Sequence, residues 1–249
     1  MSFESWSGSF IAELDKIGLD YSFLQSSYDR QAWIDGIYTT IELSAITLIL
    51  SLFLGIWFTL LQTSNHGSLR RIVRVFVEFT RNTPTLVQIY FAVLVLNMLI
   101  NDHITYGSEN NPLTAYVWVV IVISLHYSAF HTEALRSGLE AVPETMSESA
   151  RSLGFSRYQL FWFIQLPIAF RFALPVLINN LVNLIKATSL GTAVAVGEVT
   201  YQSFMIWSQR DNVLELMILL LGIYSTLTYL LVLVGRHIEQ KIRMPDYAY

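Results

Sequence analysis

Residues 142–175 read VPETMSESARSLGFSRYQLFWFIQLPIAFRFALP, and this polar stretch between two strongly apolar regions decides how the chain is organised. Thr145-Met146-Ser147-Glu148 has the pattern of a capping box, with Thr145 as N-cap and Glu148 reaching back from the third helical position. The pattern predicts a short helix that runs to about Leu153. Gly154 stops it, because glycine enters the left-handed region without a Cβ clash. Ser156-Arg157-Tyr158-Gln159 repeats the capping signal at once and predicts a second, more apolar helix reaching Pro167. Two capped helices around a sharp bend form an elbow, which is more than a membrane chain needs merely to reverse direction.

Outward from the elbow, the composition places the chain in a membrane. Of 249 residues, 53% are hydrophobic and 14% charged, with mean hydropathy +0.48. That is too apolar for an ordinary soluble domain. Leu43 to Leu69 carries no charged residue, exceeding the roughly 20 apolar residues that cross a bilayer, and the first span is placed near 36–62. A basic connector with Arg70, Arg71, Arg74 and Arg81 leads to a second span over about 84–99. After a polar loop at 102–111, a third span covers about 113–133 and continues as a helix towards Val142. Beyond the elbow the fourth span, 172–196, is broken by polar residues; 198–212 is a polar connection, and 216–235 is a fifth, charge-free span. Residues 1–35 are acidic and lack the basic, then apolar, pattern of a cleaved signal peptide; their apolar positions predict a helix lying against the membrane edge.

Orientation follows from the cations. The connector arginines, Arg136, Arg151, Arg157 and Arg171 around the elbow, and Arg236, Lys241 and Arg243 in the tail share one side if there are five helices. By the positive-inside rule that side is cytoplasmic. The expected fold is therefore an all-α integral membrane protein with five transmembrane helices, N-terminus outside and C-terminus inside. Its elbow lies in the cytoplasm between the third and fourth spans.

Catalytic chemistry finds little support. No G-x-x-x-x-G-K-[ST] or G-x-G-x-x-G occurs, so the chain lacks a phosphate cradle of the P-loop kind. There is no cysteine, hence no disulfide framework and no thiolate metal site. His126 and His131 stand roughly 140° apart around a helix and do not share a face as metal ligands must; they read as polar residues within a helix. No metal site and no cofactor in this chain are expected.

Glu148-Ser149-Ala150, three residues, Gly154, nine residues, Ile164, one residue, Leu166-Pro167 resembles the EAA-x3-G-x9-I-x-LP loop of binding-protein-dependent ABC importer permeases, with Ser149 in place of the second Ala. The resemblance implies a type I importer transmembrane domain over 36–243, between an external or interfacial segment, 1–35, and a short tail, 244–249. It implies that Glu148, Ser149, Ala150, Gly154, Ile164, Leu166 and Pro167 belong to a loop that docks into a separate ATPase subunit. The other implied partners are a second permease chain, identical or sister, and an external amino-acid-binding protein, with ATP and magnesium held by the ATPase.

Arg81-Asn82-Thr83-Pro84-Thr85-Leu86-Val87-Gln88 resembles the R-N/G-T-P-x-L-V-Q signature of the polar amino acid subfamily, and Lys186-Ala187-Thr188-Ser189-Leu190 resembles its K-D/N-T/S-S-L signature, with Ala187 replacing the usual polar residue. The implied activity is import of a polar amino acid across the bacterial cytoplasmic membrane. Read from the residues alone, Thr83 is a cap and Pro84 a first-turn residue of the second span, which leaves Gln88 inside the membrane unexplained. Asn179, Asn183 and Lys186 share one helical face. Two readings fit Lys186: a cation lining the substrate route, or one snorkelling from a helix end to the interface. In the first reading Arg81, Asn82, Thr83 and Gln88 face the same cavity and Thr188-Ser189 is an unwound segment. An ATP-independent secondary transporter or channel for small polar solutes is the alternative, and it leaves the elbow without a purpose.

Overall fold

The computed structural model describes residues 13, 16, 18–64, 66–101 and 112–242, and the described residues form helices and turns without a strand. The polar loop at 102–111, Arg243, the tail and most of the expected N-terminal interfacial helix lie outside them.

Four long apolar helices, α1 (Ser27–Gln62), α4 (Ala115–Glu140), α6 (Arg157–Val194) and α8 (Val213–Ile242), are each long enough to cross a membrane. Shorter ones are α2 (Gly67–Arg81), α3 (Thr85–Ile100), α5 (Glu144–Ser152) and α7 (Val199–Arg210). Helices α2 and α3 meet at 109° and count as one broken span in a five-span arrangement.

The first helix begins at Ser27 rather than near Gly36. The Ser26 hydroxyl caps it, and Arg210 pairs with Asp29 at 2.7 Å, so the helix carries an acid in its first turn without an unpaired charge. The preceding turn is pinned to the start of α8: the Asp20 amide donates to Glu215 Oε1 at 2.9 Å. Hydrogen bonds from Ser22 hold the Asp20 carboxyl below the usual range.

α4 is the hub. Its middle packs Trp118, Val119, Ile123 and Tyr127 against Leu43, Ile89 and Leu184, and its later part packs Ala134 and Leu135 against Leu60, Leu166 and Leu177. α4 and α6 approach so closely at Gly138 that a Cβ there would overlap the Ala169 carbonyl. α8 is by contrast mostly uncovered, leaving apolar side chains such as Leu221, Leu230 and Val234 outward.

Within the polar connection expected at 198–212, Val199–Arg210 form a helix. Glu198, fully buried, caps α7 by accepting the Thr200 and Tyr201 amides, both at 2.9 Å. The Tyr224 hydroxyl, at 3.0 Å, and the Thr192 hydroxyl donate to the same carboxylate. Left-handed Ala195 and Asp211 turn the chain into and out of the helix.

α6 is also not two pieces. The expected stop at Pro167 and the break before residue 172 are absent, and the helix runs on from the elbow. Residues Phe161–Gln165 widen into a π turn, with the Leu166 amide bonded to the Phe161 carbonyl five residues back. Pro167 has no N–H to give, and a wider turn accommodates its ring without ending the helix.

Candidate functional site

The elbow forms as two helices around Gly154, but the first is capped differently from expectation. α5 starts two residues earlier, at Glu144, with Pro143 at its N-cap and no capping side chain. Pro143 has φ −58°, already suited to a helix start. Thr145 and Glu148 therefore sit inside the helix, and the capping box between them does not form. Glu148 stays exposed and makes no cap. The end of α5 is a Schellman motif: the Phe155 amide bonds the Ala150 carbonyl at 3.1 Å and the Gly154 amide the Arg151 carbonyl at 3.0 Å, with Gly154 at φ +83°. The second capping box is present, Ser156 and Gln159 bonding each other's backbone.

The motif residues divide into two groups. Glu148, Ser149, Gly154 and Pro167 are exposed. Ala150 and Leu166 are buried and Ile164 is half-buried, so these three hold the elbow to the bundle. The Gln165 amide reaches Ser147 at 3.3 Å, a further tie. Around the bend, Leu153 is 78% exposed and Tyr158 67%, which is costly for an elbow that stays in water. A crevice of about 400 Å³ behind it is lined by Arg151, Arg157, Phe155 and Thr63.

The second signature builds the 109° bend. Beyond the Asn82 amide on Glu78 at 3.1 Å, the last carbonyls of α2 lack helical partners, and side chains add further donors. Asn82 Nδ2 donates to the Glu78 carbonyl at 2.7 Å, the Thr83 hydroxyl to Phe79 at 2.9 Å, and Gln88 Nε2 to Thr80 at 3.0 Å. Thr83 thus reaches back along α2 and does not cap α3, whose N-cap is Pro84. Because Gln88 Nε2 faces carbonyls, its Oε1 faces His126 Nδ1 at 3.2 Å and accepts from it. His126 Nε2 meets the Thr85 hydroxyl at 2.9 Å. An open backbone turn within a bundle needs every polar group matched, and this is what Asn82, Thr83 and Gln88 do.

The shared cavity expected for the polar residues is not formed within this chain. Arg81 lies in a cleft between α2, α4 and α6. Asn179, Asn183 and Lys186 are exposed on α6, and Lys186 borders a separate groove of about 540 Å³ with Tyr224, Ser225 and Arg236 of α8. Thr188 and Ser189 are not unwound; they open a 3-10 turn, Thr188–Val194, and their hydroxyls bond the Ile185 and Lys186 carbonyls, each at 2.7 Å. Glu198 and Glu133 were not singled out by the sequence, and His126 was read there only as a polar residue within a helix. Glu198 had a usable signal, an acid three residues after a reversal and just before a helical pattern.

Comparison with known proteins agrees with this geometry. The model of the binding-protein-dependent transport system inner membrane component family matches residues 48–244. The chain is 29% identical over 208 residues to the L-cystine transport system permease protein TcyB of Bacillus subtilis, covering 83% of this chain and 85% of that one. It is 30% identical over 209 residues to the probable glutamine ABC transporter permease protein GlnP of the same organism, covering 82% and 91%. A chain of a crystallised amino acid ABC transporter with histidines superposes with TM-score 0.71 at 23% identity, covering 88% of this chain and 98% of its own. A chain of the inward-facing MetNI methionine ABC transporter does so with TM-score 0.71 at 16% identity, covering 88% and 99%. A helical chain with the elbow, the bend and these relatives belongs to the binding-protein-dependent transport system inner membrane component family.

Proposed function

We propose that this chain is the transmembrane permease subunit of an ATP-driven importer that carries a polar amino acid across the bacterial cytoplasmic membrane. Its partners are ATPase subunits holding ATP and magnesium, a second permease chain and an external amino-acid-binding protein. The observation that carries the reading is the elbow. α5 and the bend after it project Glu148, Leu153 and Tyr158 outward, and Glu148 is free of any capping duty. Such a surface suits burial in a partner's groove. Glu148, Ser149 and Gly154 form the docking part, while Ala150, Ile164 and Leu166 pass its movement to the helices. Alternating access then follows from repacking of those helices.

The direct test is uptake by the purified complex in proteoliposomes. Amino acid import that needs ATP and the binding protein supports the reading; uptake persisting without nucleotide replaces it with an ATP-independent transporter or channel.

Orientation is tested separately. The chain has no cysteine, so single cysteines report cleanly. With an impermeant thiol reagent on intact cells, Asn110→Cys in the loop outside the described residues is expected to label. Ser152→Cys, exposed at the end of α5, is expected to stay unlabelled. The opposite pattern inverts the topology.

A further inference from the structure

The cleft between α2, α4 and α6 has a volume of about 560 Å³ and is lined in part by Arg81, Phe130, Glu133, Arg136, Val176 and Asn180. Its polar groups are not equally engaged. Arg136 is bound to Glu133 through Nε and Nη2, at 3.0 and 2.6 Å, and to Glu140 through Nη1. Arg81 is only loosely held: Nη1 stands 3.9 Å from Glu133 Oε2, beyond hydrogen-bond length, and the guanidinium lies 5.4 Å over the Phe130 ring. Asn180 is 8% exposed, and its Nδ2 has no acceptor. A buried donor without a partner is destabilising, so the site is incomplete as it stands.

What is missing can be read from the groups present. The unmet valences of Arg81 and Asn180 are all donors and ask for an anionic oxygen pair. A planar guanidinium matches a carboxylate in a bidentate fashion. Glu133, next to Arg81, opposes a doubly charged anion but attracts an ammonium group. A ligand that offers a carboxylate and an ammonium a few ångströms apart satisfies both sides of the loose Arg81–Glu133 contact. Gly138 and Ala141 also line the cleft, placing it towards the elbow end of α4.

We propose that this cleft binds the zwitterionic backbone of a free α-amino acid, with Arg81 and Asn180 donating to its carboxylate and Glu133 accepting from its ammonium. The proposal rests on the importer reading and gives it a station on the elbow side of the membrane, next to where the solute is released. Because Arg81 closes α2 and Glu133 belongs to α4, an amino acid seated between them changes how those two helices are joined. Phe130 remains as an apolar wall and selects nothing by charge, so the side chain of the ligand is not read here.

The test uses the complete complex of permease and ATPase in detergent, without the binding protein. Each proteinogenic L-amino acid is offered as a radiolabelled probe, and the matching amine without a carboxylate as competitor. Binding is expected for at least one amino acid, with the amine competing at least roughly tenfold less well. Asn180→Asp keeps the shape but turns a donor into an acceptor of negative charge; it and Arg81→Gln are each expected to weaken binding about tenfold or more. Arg81→Lys keeps a charge but loses the fork, and its loss is expected to be smaller. Co-purification of the ATPase reports that each variant assembles. Equal binding by wild type and Asn180→Asp, or an amine that competes as well as the amino acid, overturns the site. If the wild-type complex imports amino acids and the variants bind normally, the site alone fails. If the wild type neither binds nor imports any amino acid, the importer reading fails with it.

Discussion

Gly154→Val is expected to leave the chain folded in the membrane but largely free of its ATPase, with co-purification of the two falling at least roughly tenfold. The reason is confined to the backbone. Gly154 sits at φ +83°, and a Cβ added there meets nothing within 4 Å. No clash with a neighbour therefore contributes, only the left-handed conformation, which costs an L-residue about 1–2 kcal/mol and a β-branched one more. Relieving that strain opens the Schellman motif and swings α5 away from α6. Asparagine tolerates the left-handed region, so Gly154→Asn is expected to keep most of the ATPase, and it is the variant that separates geometry from mere substitution. Glu148→Gln is the charge control, and it weakens association only if the carboxylate meets a cation across the interface. Full ATPase binding and uptake by Gly154→Val, measured by pull-down and proteoliposome transport, would reduce the elbow to a loop.

The second large effect lies at the opposite end of the molecule. Glu198→Leu removes a carboxylate that takes four hydrogen bonds, from two α7 amides and the Tyr224 and Thr192 hydroxyls. A leucine side chain leaves those donors buried without acceptors, for a loss on the order of 3–5 kcal/mol. The expected outcome is a chain that melts well below the wild type in a fluorescence-detected size-exclusion assay, or that fails to accumulate. Glu198→Gln retains one carbonyl oxygen and is expected to fall between. An unchanged melting curve for Glu198→Leu would mean that the turn is held without the carboxylate, through other bonds such as that from the Val199 amide to the Thr40 hydroxyl at 3.0 Å.

Apolar length was the most legible property. The long spans follow from charge-free runs such as Leu43 to Leu69, and four of them appear close to where the runs lie. The elbow was legible because Gly154 and the Ser156–Gln159 box are local devices, readable from neighbouring residues. The Thr145 box failed because Pro143 begins the helix first and takes the cap position. Two features were illegible for a different reason. Gln88 looked like a residue facing a solute route, yet its partners, Thr80 and His126, come from a neighbouring helix end and from α4. The run 198–212 looked like a loop because its polar residues satisfy one another and α1 only once the chain is folded, as when Trp33 donates to Ser203 at 3.1 Å. Hydropathy records what a residue avoids, whereas these residues are placed by what they bond.

The unbroken course of α6 has a mechanical consequence. At about 1.5 Å per residue, the helix from Arg157 to Val194, 38 residues, forms a rod roughly 57 Å long. One end is joined to the elbow and the other runs into the Ala195–Glu198 turn. A rod converts a small rotation into a larger excursion: tilting by about 5° about Ala169 carries the far end, about 38 Å away, through roughly 3 Å. Leverage of this kind needs a fulcrum, and the contact of Gly138 with Ala169, where no side chain cushions the two helices, sits about a third of the way along.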